Sequence, residues 1–218
     1  EDEWKNAGIY GDFNYITNRQ TMLNYWEERL RTNGQYENTY TLGLRGIHDY
    51  PMEGAQTTEQ RVQLMQQAID DQRELIRRNI NKPLDQVPQV LCTYEEVLDA
   101  YHGGLQVPDD VTLLWSDDKQ GYLRNLCNPE ERKRAGGAGV YYHISYHGDP
   151  DSWFWLSPLS PSLISTEMCK SYDYGADRIW VFNVGDIKPA EKELSFAMEL
   201  ALLYHAGRER QGKRGGKK

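Results

Sequence analysis

Apolar positions recur along this chain in two rhythms, one near four residues and one near two. From about Thr17 to Asn33, Met22, Trp26 and Leu30 fall every four residues and Leu23 widens the stripe, which predicts a helix stopped by Gly34. Tyr40 to Arg45 reads as a short strand, and Pro51 and Gly54 mark a loop. A long helix follows over Thr58 to Ile80. Val62, Met65, Ile69, Gln72, Ile76 and Ile80 trace one face, apolar except for Gln72, and Thr57 with Gln60 forms a capping box. Lys82-Pro83 ends that helix. Gln89 to Cys92 reads as a buried strand, and Thr93 to Tyr101 as a helix closed by Gly103-Gly104. Val111 to Trp115 is a strand, and Asn128-Pro129-Glu130-Glu131 opens a short helix ended by Gly136-Gly137. Val140 to Ser145 and Arg178 to Val184 are strands, and Ser162 to Tyr174 and Pro189 to Tyr204 are helices, Pro189 lying near the first turn.

Strands alternating with helices predict a parallel sheet with crossover helices. No GxGxxG follows the first strand and no GxxxxGK[ST] occurs, so nucleotide-binding folds lack their fingerprints. Each of the five strands runs straight into polar residues: Arg45, His48 and Asp49, then Glu95 and Glu96, Asp117 and Asp118, His143 and Tyr146, and Asn183 and Asp186. Polar residues after one strand are ordinary turn chemistry. Five in succession favour a shared site at the C-terminal ends of the strands, as in a (β/α)8 barrel. The expected fold class is α/β, (β/α)8 TIM-barrel-like, with only the second part of the barrel, about five βα units, in this chain. Residues 1–206 are expected to form that partial catalytic domain and 207–218 a basic, disordered tail. A half-barrel leaves two unpaired edges, which predicts pairing with the missing N-terminal part or with a second copy.

Composition narrows the function class. The chain has 218 residues with a formal net charge of −8, which argues against general nucleic-acid binding. Mean hydropathy is −0.79 and no apolar run approaches the ~20 residues of a membrane span, so no membrane partner is expected. Six Trp and fifteen Tyr favour packing or stacking on flat ligands over disorder. Cys92, Cys127 and Cys169 form no disulfide framework and no metal spacing, and His143 with His147 lacks a third ligand, so neither metal nor cofactor is expected. The acidic opening Glu1-Asp2-Glu3 is unlike a secretory leader. It points either to an intracellular protein or to a chain that begins inside a longer one.

Three groupings carry chemistry. Glu96 and Asp117 lie past the ends of neighbouring strands, where two carboxyl groups could flank a glycosidic bond as acid and base. The competing structural readings are a capping box of Thr93 with Glu96, and a turn role for Asp117 before Gly121. Arg45 could grip a substrate carboxylate in two-point fashion or simply pair with Asp49. Alternation puts His143 and Ser145 on one face of their strand. The aromatic run at 151–156 reads as a sugar platform or a hydrophobic rim plug, and Arg132-Lys133-Arg134 as a solvated face.

Four blocks in order, Thr41–Met52 (TLGLRGIHDYPM), Val107–Asp118 (VPDDVTLLWSDD) with Gly121–Arg124, Gly136–Tyr146 (GGAGVYYHISY) and Tyr174–Pro189 (YGADRIWVFNVGDIKP), resemble glycoside hydrolase family 115, the xylan α-1,2-glucuronidases. The resemblance spans about residues 10 to 200. It implies part of a TIM-like catalytic domain that removes glucuronic or 4-O-methylglucuronic acid from xylan with inversion. The partner is then glucuronoxylan or a glucuronoxylo-oligosaccharide, and the location secreted or periplasmic. It implies Glu96 as general acid and Asp117 or Asp49 as base, roughly 6.5–9.5 Å away to admit a water. Arg45 would face the uronate, and His48, Asp118, His143 and Tyr146 would contact sugar or water. Where the family has Asn and an aromatic after the Asp pair, this chain has Lys119-Gln120. That departure motivates the alternative of an inactive carbohydrate-binding or assembly remnant. An acyl hydrolase is disfavoured because no GxSxG is present.

Overall fold

The computed structural model describes residues 2–47, 50–147, 152 and 157–215. The chain divides into two compact units, Glu1–Leu113 with Arg134–Gly136, and Leu114–Lys133 with Gly137–Lys218. Helices and strands alternate through both as the periodicity predicts.

The first unit opens with a helix that periodicity missed, α1 (Asp2–Ala7). Six residues are too few to show a stripe; the helix is held instead by Trp4, which is buried and packs on Tyr10, Phe13 and Tyr25 with ring centroids 4.8–5.4 Å away. Next come α2 (Arg19–Asn33), β1 (Tyr40–Thr41), α3 (Thr58–Asn79), β2 (Gln89–Thr93) and α4 (Glu96–His102). The expected faces are the buried ones, with Met22 and Leu30 on α2 and Met65, Ile69 and Ile76 on α3. The Thr57–Gln60 capping box forms as read.

β1 and β2 pair in parallel, Tyr40 opposite Gln89 and Thr41 opposite Val90. β1 is shorter than expected, and Gln72 explains why. Leu42 still donates to the Val90 carbonyl, but Gly43 turns to φ +107° and leaves the ladder. The Gln72 side-chain amide then takes both backbone groups of Gly43, accepting from its N–H and donating to its carbonyl at 2.9 Å each. The one polar residue on the apolar face of α3 thus satisfies a backbone that would otherwise be left unpaired inside the unit. Gln89, which is fully buried, is satisfied by Arg73 and by the carbonyls of Leu84 and Val87.

β3 (Thr112–Ser116) spans the sequence boundary between the units. The second unit continues with β4 (Ala138–His143), α5 (Pro161–Asp173), β5 (Trp180–Asn183) and α6 (Glu191–Gly215). β4 and β5 pair in parallel, Val140 opposite Trp180 and His143 opposite Asn183. Ser160 caps α5 by accepting from the Leu163 N–H, and Pro161 occupies the first turn, where it gives up no intrahelical hydrogen bond. α6 runs past the end expected at Tyr204. The short third helix is only a 3-10 turn at Glu131–Lys133 with no buried residue, since that segment has no apolar stripe to dock. Nor is its basic run all solvated. Arg134 donates to the carbonyls of Val107, Pro108 and Val111, and Arg132 lies over the Tyr174 ring. Five strands, four of them followed by an α-helix and the third by the 3-10 turn, make this an α/β, TIM-barrel-like fold.

Candidate active site

In the first unit the site chemistry gathers where β2 turns into α4. Glu95 sits at φ +47°, ψ −119°, the only non-glycine among the described residues with positive φ. The Tyr94 carbonyl accepts from the Val97 N–H at 3.0 Å, closing a tight turn in a conformation that glycine ordinarily supplies. Such backbone strain persists where surrounding contacts over-determine it, and it concentrates at functional sites. The turn delivers Glu96, 7% exposed, to Arg45. Arg45 donates from Nε to Oε1 at 2.9 Å and from Nη2 to Oε2 at 3.1 Å, a two-point pair, and reaches Glu95 at 3.3 Å. Its guanidinium also lies 5.2 Å from the centre of the Tyr94 ring. The N-cap of α4 is Glu95, whose side chain makes no cap hydrogen bond, and Thr93 lies two residues earlier in β2, so Thr93 does not stand at the N-cap that the capping-box reading of Glu96 requires.

In the second unit the chemistry centres on Asp117, just past β3. Its side chain is completely buried. Oδ1 lies 2.7 Å from His143 Nδ1, and both carboxylate oxygens accept from the His143 backbone N–H at 3.2 and 3.3 Å. Burial raises the Asp117 pKa above the ordinary carboxylate value, against the opposing pull of His143. A carboxylate on Nδ1 fixes the imidazole's orientation and its tautomer. Two tyrosines bracket the ring edge-on, Tyr141 at 4.9 Å and Tyr146 at 5.5 Å. Gly121, at φ +81°, is needed beside this group because a Cβ there would come within 2.7 Å of Leu159 and 3.0 Å of the Tyr142 hydroxyl.

Comparison with known proteins assigns the family. A model described as glycosyl hydrolase family 115 matches residues 1–212. The chain belongs to glycosyl hydrolase family 115. A solved structure titled as a family GH115 4-O-methyl-α-glucuronidase with specificity for decorated arabinogalactans is 48% identical, with a TM-score of 0.87 over 91% of this chain. This chain spans 26% of the length of that family 115 structure. No curated protein matches.

The predicted site residues of this family 115 chain fall into three groups. Arg45 with Glu96 in the first unit, and Asp117, His143 and Tyr146 in the second, are each brought into contact within their own unit. Asp118 is a turn organiser: Oδ1 accepts from the N–H groups of Gln120 and Tyr122, and Oδ2 from Arg124 Nε. Burial would raise its pKa, but those amides and the guanidinium outweigh it and hold the carboxyl below its ordinary range. His48 and Asp49 lie outside the described residues, as does the aromatic run at 151–156 apart from Ser152. Sequence reasoning passed over Tyr94 and Tyr141, and it named Glu95 only as a polar residue after its strand. Tyr141 was within reach, because it is two residues before His143 and alternation puts both on one face. The backbone conformation of Glu95 carried no signal, since a strained φ at a glutamate leaves no trace in composition. Two cavities, of about 270 Å3 beside Trp26, Tyr40 and Gln72 and about 190 Å3 beside Tyr172, Trp180 and Tyr204, contain none of the predicted residues. Among the described residues no cluster of three His, Cys, Asp or Glu could hold a metal ion, and no helix is long and apolar enough to cross a membrane.

Proposed function

We propose that this chain serves within the catalytic domain of an enzyme that hydrolyses the α-linked glucuronic or 4-O-methylglucuronic acid side groups of a plant polysaccharide, glucuronoxylan in the first instance, with inversion. The observation that carries the reading is the 48% identity, over 91% of the chain, to a 4-O-methyl-α-glucuronidase.

Glu96 is the general acid, protonating the glycosidic oxygen as the bond breaks. The two-point Arg45 contact positions it and keeps its charge balanced once the proton has left. Asp117 acts as the partner that orients His143 rather than as the base itself, since its carboxylate is buried and its oxygens are taken by that one residue. Activation of water then falls to Asp49, the other carboxylate expected from sequence. Tyr146 and the His143 ring offer hydrogen bonds and an edge to the sugar. An extracellular polysaccharide substrate places the protein in a secreted or periplasmic compartment.

The test is release of uronic acid by the full-length protein from glucuronoxylan and from glucuronidated arabinogalactan. The arabinogalactan arm is included because the matched structure is titled with that specificity. The first-formed anomer, read by NMR, should be β if the reaction inverts. Binding of either polysaccharide with no release from it would favour the inactive carbohydrate-binding alternative.

A further inference from the structure

Arg45 meets two carboxylates in the first unit and holds them unequally. Glu96, 7% exposed, takes Nε at 2.9 Å and Nη2 at 3.1 Å. Glu95, 42% exposed, takes Nη2 alone at 3.3 Å. A single exposed contact of this kind is weak, so Glu95 is the partner that can yield. Keeping Glu95 there nevertheless strains the chain. With φ +47° and ψ −119°, and the Tyr94 carbonyl accepting from the Val97 N–H, it stands at the second position of a type II′ turn, which glycine favours. A glutamate kept at a glycine position, with its carboxylate on the guanidinium beside the proposed acid, points to a task for that carboxylate.

The chemistry of a glucuronide supplies the task. The carbon bearing its carboxylate is joined to the reacting carbon through the ring oxygen alone. An acid that reaches the glycosidic oxygen therefore has the sugar's own carboxylate close by. The cation beside Glu96 is Arg45, and the partner it can exchange is Glu95.

We infer that Glu95 is a placeholder for the substrate carboxylate: it holds Nη2 of Arg45 until the uronic acid displaces it. This rests on the proposed function. An incoming carboxylate offers the guanidinium the same charge-assisted hydrogen bond and can make the exchange, whereas a neutral ester cannot. Glu95 thus weakens binding of the charged sugar, which has to expel a like charge, and leaves a neutral one unaffected.

The experiment compares the full-length protein with Glu95→Gln and Glu95→Gly on a glucuronoxylo-oligosaccharide and on its methyl ester, in which the carboxylate is capped. Gln removes the charge and keeps the strained turn, and Gly removes both. Each variant should raise the preference for acid over ester, taken as the ratio of kcat/KM values, by about three- to fivefold, through a lower KM for the acid. A merely structural role would move both substrates alike, and an unchanged or lowered ratio in Glu95→Gln overturns the inference. Calorimetric binding of the same two oligosaccharides reads the ratio without turnover. A wild type that binds the acid but releases nothing therefore counts against the proposed activity, while the binding ratio of Glu95→Gln still decides the role of Glu95.

Discussion

The two units hold their carboxyl groups in opposite ways. In the first, Glu96 lies against a guanidinium that meets both of its oxygens and touches a second carboxylate, Glu95. In the second, Asp117 is sealed from solvent against the imidazole and the backbone amide of His143, and burial raises its pKa. The guanidinium is a permanent cation with a fixed fork, and it holds the Glu96 carboxylate in one two-point geometry. The Asp117 carboxylate instead holds both the ring and the backbone amide of His143, which fixes how the imidazole is turned.

The comparison breaks most readily at Glu96. Replacing it by Ala in the full-length protein should cut glucuronic acid release by roughly 100- to 10,000-fold while the fold survives; near-normal release would remove Glu96 from the mechanism. Asp117→Asn should reduce release by about 100-fold through loss of the imidazole's orientation. It also sharpens the contrast by pH. A carboxyl whose folded pKa is raised contributes stability below its ordinary value, 3.8, and that contribution is lost as pH rises through the raised value. The stability of the wild type relative to Asp117→Asn, followed by thermal melts from pH 4 upward, should therefore fall with rising pH. A difference that grows instead would mean that His143 outweighs burial.

Two smaller changes probe the backbone beneath each group. Gly121→Ala forces a Cβ into Leu159 and a positive φ on alanine, and should destabilise the second unit by about 1–3 kcal/mol in denaturant titrations. Glu95→Gly should do the reverse in the first unit. Relief of the φ +47° strain should stabilise by about 1 kcal/mol, because the lost Glu95–Arg45 contact is largely exposed. A fall in stability there would show that the ion pair outweighs the strain.

Much of this was legible in the chain before any coordinates. The helices with two or more turns of stripe appear where the periodicity placed them, because burying an apolar face is a local demand repeated every turn. The capping box at Thr57 is likewise local. Elements without such repetition were misread. α1 is too short to show a period, the segment at Glu131–Lys133 has turn residues but nothing apolar to dock, and β1 ends early because a side chain from α3 takes over its hydrogen bonds.

The site divides along the same line. The residue types that follow each strand, and the blocks that resemble family 115, were set by the sequence alone, since the order of acid, guanidinium and imidazole along a chain is covalent. Which partner each side chain takes was decided only in three dimensions. Thr93 is three residues from Glu96 yet does not cap it, while Arg45, 51 residues away, binds it at two points. Asp117 and His143, 26 residues apart, meet because the backbone of β4 brings both the ring and the amide of His143 to one buried carboxylate. Pairing across such distances depends on where the chain packs, and burial then sets the charge each group can hold.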